Sequence, residues 1–176
     1  MSRIKKIIRN IIIIVVLSYF IMIQLGLYIT PLSAHENSER GLNYGPSKVV
    51  HIENFKKGKY ILGKYDKWIS CDTVNRALFF FWSPGGQTLG FENDKTKAVS
   101  YTWSGSEQLV IAYGIVNDNR IKKLEITLDN GDILTNKDFY ENLFLITRKV
   151  KDNKFVAIKT IRGYDSEDNI VYEEEL

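Results

Sequence analysis

Leu124-Glu125-Ile126-Thr127-Leu128-Asp129-Asn130-Gly131-Asp132-Ile133-Leu134 is the stretch on which the reading of the fold turns. Apolar residues alternate with polar ones from Leu124 to Leu128, the period of a strand with one buried face. Asn130-Gly131 then supplies residues that accept positive φ, as a tight reversal requires, before Ile133-Leu134 resumes the apolar pattern. A β-hairpin is predicted here, and the same signature continues in both directions. Residues 98–103 and 108–116 read as a strand pair joined through Ser104-Gly105-Ser106. Residues 143–150 and 154–162 flank Lys151-Asp152-Asn153, and 170–172 follows a turn at 165–169. Residues 49–52, 60–62 and 68–70 are shorter candidates.

Ala77-Leu78-Phe79-Phe80-Phe81-Trp82 is the densest aromatic run, stopped by Pro84-Gly85-Gly86. It does not alternate, which predicts a central core strand covered on both faces. Asn136 is placed to cap one short helical turn over 137–142. Apolar runs at short intervals, separated by turn residues, point to antiparallel β structure rather than βαβ units. The expected fold is therefore mostly β, with roughly nine strands in a two-layer antiparallel sandwich and at most one short helix.

Ahead of this domain lies a segment of another kind. Arg3, Lys5, Lys6 and Arg9 precede an apolar run that begins at Ile11 and ends at Ile29, broken only by Ser18, Gln24 and Gly26. At about 1.5 Å per residue the run spans roughly 28 Å, close to the hydrocarbon thickness of a bilayer. It is apolar all round rather than on one stripe, unlike the helix of a soluble core. A cleaved signal peptide shares the basic start and apolar body, and Leu32-Ser33-Ala34 offers a weak cleavage site. Signal cores are usually shorter than this one, so a retained anchor is the expectation and a secreted domain the alternative. Flanking cations stay cytoplasmic. The predicted organisation is a cytoplasmic basic N-terminus over 1–10, a transmembrane signal anchor over 11–30, a linker over 31–47 and an extracytoplasmic β domain over 48–176. That places the protein in the cell membrane as a single-pass chain with its C-terminal domain outside.

Charge supports this division. The net charge of +3 comes from the first ten residues, which hold four of the 24 basic residues and none of the 21 acids. The remainder carries 20 basic against 21 acidic residues, no footprint for a nucleic acid. After Arg162 every charged side chain is acidic, namely Asp165, Glu167, Asp168, Glu173, Glu174 and Glu175, read as a solvated tail or else a dock for a basic partner or a cation. Cys71 is the single cysteine, so the domain stands without an intrachain disulfide, and no lipid-modified start is available.

Several fragments imitate catalytic motifs and fail on chemistry. Gly58-Lys59-Tyr60-Ile61-Leu62-Gly63-Lys64 matches seven positions of a phosphate loop, but Tyr65 stands where a hydroxyl must reach Mg²⁺, and no nucleotide is expected. His35-Glu36-Asn37-Ser38-Glu39 opens like a zinc-protease helix and ends in Glu instead of the second imidazole. Neither a Gly-x-Ser-x-Gly elbow nor a Ser-x-x-Lys pair occurs after the apolar run, and Cys71-Asp72 reads as a buried thiol at a strand edge. Paired carboxylates for glycoside hydrolysis have no sequence signature, and a domain of this size leaves little room for a deep cleft. No catalytic, cofactor-binding or metal-ligating residue is assigned, and an enzyme is not expected.

Tyr101-Thr102-Trp103-Ser104-Gly105, followed by Ala112-Tyr113-Gly114-Ile115-Val116-Asn117-Asp118-Asn119-Arg120-Ile121-Lys122-Lys123-Leu124-Glu125-Ile126, resembles segments of small membrane-anchored surface proteins of Gram-positive spore-forming bacteria. The closing Gly163-Tyr164-Asp165-Ser166-Glu167-Asp168-Asn169-Ile170-Val171-Tyr172 is similar to their final hairpin, so the likeness covers roughly residues 77–173. It implies location and architecture and carries over no catalytic residue.

The expected function is binding without turnover, with the membrane engaged from Ile11 to Ile29 and an envelope protein or cell-wall component as partner. Tyr101, Trp103, Asn117, Asp118 and Arg120 are the candidate binding residues, since they combine aromatic and polar groups near a loop. Asn117 to Arg120 reads equally well as a hairpin turn, and most of the aromatic residues as core. Two other functions fit less well. One is an accessory or regulatory subunit of a membrane complex acting through its transmembrane helix, and the other is a small extracytoplasmic hydrolase.

Overall fold

The structure is a computed structural model that describes residues 3–85, 90–150 and 155–176. In chain order its elements are α1 (Arg3–Gln24), α2 (Pro31–Gly41), β1 (Lys48–Phe55), β2 (Gly58–Tyr65), β3 (Trp68–Arg76), β4 (Trp82–Pro84), β5 (Phe91–Glu92), β6 (Val99–Gly105), β7 (Leu109–Val116), β8 (Lys123–Leu128), β9 (Ile133–Asn136), β10 (Leu143–Lys149), β11 (Ile158–Tyr164) and β12 (Ile170–Glu175). The chain is mostly β, and β3 pairs antiparallel with β4 and β5, β7 with β6 and β10, β8 with β9 and β11, and β11 with β12. Three sheets form among the described residues, ordered β1-β2-β3-β4 with β5 on β3, β10-β7-β6, and β12-β11-β8-β9.

Two compact units share this chain. The first contains Met1–Pro46, Ile52–Ile61 and Asp72–Thr88, and the second Ser47–His51, Leu62–Cys71 and Leu89–Leu176. In the second unit, alternation aims Val99, Val110, Ala112, Val116, Phe144 and Ile146 of one sheet and Leu124, Ile126, Leu128, Ile158 and Ile161 of another into a single buried cluster. Two sheets sharing one core make a sandwich, in agreement with the expected class. The opposite face of β7 is also covered, since Tyr113 is buried and its ring lies 5.8 Å from that of Phe91.

The hairpin that decided the reading of the fold is present, with a three-residue loop. Leu128 and Asp132 close it by a backbone hydrogen bond of 2.8 Å, and Gly131 alone takes the left-handed conformation, at φ +87°. Glycine is needed there because a side chain at that φ is strained. The turn at 165–169 forms where expected, gathered by the Asp165 carboxylate, which accepts from the backbone of Glu167 and Asn169. Ser104 and Gly105, by contrast, pair with Ile111 and Val110 inside the strands, and the reversal falls at 106–109, where the Ser106 N–H donates to the Leu109 carbonyl at 2.9 Å. The turn expected at Lys151-Asp152-Asn153 and the Gly86 stop lie outside the described residues.

Four expectations need correction. Residues 77–82 are not a core strand: Leu78, Phe79 and Phe80 form a turn and are 66%, 86% and 67% exposed, and only Trp82 enters a strand, β4. Phe79 adopts φ +54°, and the Phe81 N–H donates to the Leu78 carbonyl, closing the turn. The linker expected over 31–47 is helical as α2 over Pro31–Gly41, capped by Thr30, whose Oγ1 accepts from the Ser33 N–H at 3.1 Å, with proline in the first turn. The helical turn expected over 137–142 is a tight reversal in which Tyr140 and Leu143 exchange backbone hydrogen bonds, with Glu141 and Asn142 at positive φ. Finally, the acidic C-terminal stretch is no free tail: past the hairpin expected at 165–172 it continues as edge strand β12 to Glu175, with Arg162 paired to Glu173 at 2.7 Å and Lys123 paired to Asp168.

In the first unit, α1 is long and apolar enough to cross a membrane. The chain leaves it through Gly26 at φ +68° and pairs Tyr28 with Trp82, each donating its N–H to the other's carbonyl at 2.7 and 2.8 Å. Trp82 pairs in turn with Arg76 of β3.

Candidate functional site

Trp103 and Tyr101 stand two residues apart on β6, so alternation sends both side chains to the same face. Both are partly buried against the sandwich core. They also line a groove of about 450 Å³ together with Phe91, Lys97, Glu174 and Leu176. Val99, Ser100, Tyr101, Thr102 and Trp103 all contribute to its wall. Five successive residues alternate between faces, so a groove they all line runs along the edge of the strand rather than over one face of the sheet. β6 is the terminal strand of the order β10-β7-β6, which agrees with that placement. Gly114 lets β6 and β7 approach closely, since a Cβ there would meet the Ser100 carbonyl oxygen at 2.3 Å.

The polar centre of the groove is Glu174. Its Oε2 accepts from the Tyr101 hydroxyl at 3.0 Å and from the Tyr172 hydroxyl. Burial, then the hydrogen bond and the charge of Glu174, push both phenols far above their ordinary range, so they stay protonated as donors. Aromatic faces, an exposed lysine and an anchored carboxylate thus share one concavity. They suit recognition of a ligand with apolar and ionic parts and include no activated nucleophile.

The five residues singled out in the sequence are divided among different tasks. Asn117 is an organiser of the loop before β6: its amide exchanges hydrogen bonds with Asn93 and donates to the carbonyls of Asp94 and Lys97 at 3.1 and 3.0 Å. Asp118 and Arg120 bind each other at 2.7 Å within a turn, and this lowers the Asp118 pKa. Only Tyr101 and Trp103 line the groove. Glu174 stands in the sequence only as one of six acids that look alike until the strand register sorts them.

No family model, curated protein or solved structure matches this chain. Its site must therefore be read from its own geometry.

A second polar cluster, also unforeseen, lies inside the first unit. On α2, His35 and Glu39 are one turn apart, and the His35 Nδ1–H donates to the Asp72 Oδ2 of β3 at 2.6 Å, while Nε2 lies 3.3 Å from the Glu39 Oε1. All three residues are buried, with 2%, 4% and 4% of their surface exposed. Burial alone would lower the imidazole pKa, but the hydrogen bond and charge of Asp72, with Glu39 and Glu36 adding, raise it above the ordinary value. One donor atom from each residue falls within 4.8 Å of the others, a spacing a metal ion could use. The chemistry favours a proton instead. With Nδ1 committed to Asp72, only Nε2 and Glu39 would face an ion, fewer than the three or four protein ligands of a zinc site. The cluster is a buried imidazole between two carboxyl groups, a setting that favours its protonated form and ties α2 to β3.

Proposed function

We propose that this protein is a single-pass membrane protein with a cytoplasmic N-terminus, whose outward-facing β domain binds an envelope partner without chemical turnover. The N-terminal cations and the length of α1 support the anchor. The observation that carries the binding reading is the groove along β6, where an edge strand, two aromatic side chains and the Tyr101–Glu174–Tyr172 cluster come together. An edge strand offers main-chain groups to an extended peptide, while alternating pockets beside it select side chains. The favoured partner is therefore an extended segment of another envelope protein. Membership of the Gram-positive surface-protein group remains part of the same proposal, on the strength of the resemblance over residues 77–173.

The test is photo-crosslinking in intact cells with a reactive side chain at position 102, on the groove wall, compared with position 135 on β9. A discrete protein adduct at 102 and none at 135 is expected. Lys97→Glu, at an exposed position, should reduce the yield several-fold without changing thermal unfolding, and Trp103→Ala should abolish it. Equal adducts at both positions would refute the groove as the site, and capture of glycan alone would reassign the partner to the cell wall.

A further inference from the structure

We propose that the Leu78-Phe79-Phe80 turn and the cations around it form a second membrane contact, which docks the first unit on an anionic bilayer surface. This rests on the reading of α1 as a membrane anchor for its geometry and on the turn itself for its chemistry. Three successive large apolar side chains at a turn, each about two-thirds exposed or more, are out of place in water. The turn is tied to the anchor by backbone. Its far end runs directly into Trp82, which exchanges two hydrogen bonds with Tyr28, four residues beyond the end of α1. The apolar tip is thus bound to the segment through which the chain would leave the bilayer.

Charge at the base of the turn is one-sided. The Arg76 N–H donates to the Lys57 carbonyl at 2.7 Å, bringing the Lys56-Lys57 hairpin turn beside the start of the Phe loop. The Arg76 guanidinium and the Lys59 ammonium lie 5.6 and 5.7 Å from the Trp82 ring centre. Neither 54–59 nor 76–82 contains an acid. An apolar tip collared by tryptophan and four cations matches a lipid interface, where aromatic rings settle at headgroup depth and lysine and arginine meet phosphate. A protein partner of ordinary composition would have to bury those cations or pair them, whereas anionic headgroups neutralise them in place.

The experiment uses the full chain, reconstituted into vesicles of phosphatidylcholine and phosphatidylglycerol, with an environment-sensitive NBD label at Phe79→Cys or, separately, at Ile14→Cys. Cys71 is buried, and the wild-type chain taken through the same labelling supplies the blank. A nitroxide carried on the lipid is expected to quench the label at 79 by about threefold, and the label at 14 at least as strongly. Replacing phosphatidylglycerol with phosphatidylcholine, or introducing Lys56→Glu with Lys57→Glu, should weaken quenching at 79 and leave 14 unchanged. A label at 79 that emits as in water and escapes the nitroxide overturns the docking contact, whatever position 14 reports. Loss of quenching at 14 alone refutes the anchor and leaves the lipid contact of the turn standing.

Discussion

His35 has a carboxylate against each ring nitrogen, so its protonation is linked to folding. Because its folded pKa is raised above the ordinary 6.5, the folded state holds the proton more tightly than the unfolded chain. The resulting stabilisation is fully present below the unfolded value and is lost as pH rises through the higher folded one. Denaturant midpoints should therefore fall as pH increases above about 6.5. His35→Gln should flatten that slope, and His35→Ala should cost about 3 kcal/mol by leaving two buried carboxylates without their cation. A pH-independent midpoint in the wild-type chain would show that folding leaves the imidazole pKa unshifted, and a midpoint rising with pH would show that it is buried neutral. Nothing in the sequence announced the cluster, because Asp72 is 37 positions away and His35-Glu36-Asn37-Ser38-Glu39 is polar throughout.

Strands and helices differed sharply in how well the sequence revealed them. Strands β6 and β8 were legible because their apolar residues alternate, β7 because it is a continuous apolar run, and all three because the turns beside them carry glycine, asparagine or serine. Helix α2 was not. Its buried stripe of Ala34, His35, Ser38 and Glu39 has helical spacing, but three of the four are polar, so hydrophobic periodicity was silent. The 77–82 run failed for the opposite reason, since an apolar run does not say whether protein or something else covers it. Close contact between β6 and β7 leads to a test at this scale. Gly114→Ala would drive a methyl group against the Ser100 carbonyl and the Tyr101 Cβ, at 2.3 and 2.7 Å. A loss of about 2 kcal/mol in thermal unfolding is expected, with Tyr101 displaced from Glu174. An unchanged melting temperature would mean that β6 yields freely, and the groove would then lack a rigid wall.

Across the whole molecule, the class of the fold could be read from composition and turn spacing, while the site could be read only in half. Tyr101 and Trp103 are visible as an aromatic pair two residues apart. The β11–β12 hairpin that carries their carboxylate partner is legible from its turn at 165–169, but the approach of Glu174 to Tyr101 joins two different sheets, and no local pattern specifies that. Topology is open to direct measurement. A membrane-impermeant amine reagent applied to intact cells should modify exposed Lys97 and leave Lys5 and Lys6 untouched, as read by peptide mass. The reverse pattern would put the β domain in the cytoplasm and remove the envelope partner from consideration.

The pair of hydrogen bonds between Tyr28 and Trp82 also has a mechanical meaning. A tether attached only at the end of a domain transmits tension and little else. Here the segment leaving α1 is clamped to β4 before α2 begins, so tilting or twisting of the helix is passed as torque to a strand rather than absorbed by slack chain. Motion of the helix is then carried toward the Phe79 turn through those two bonds.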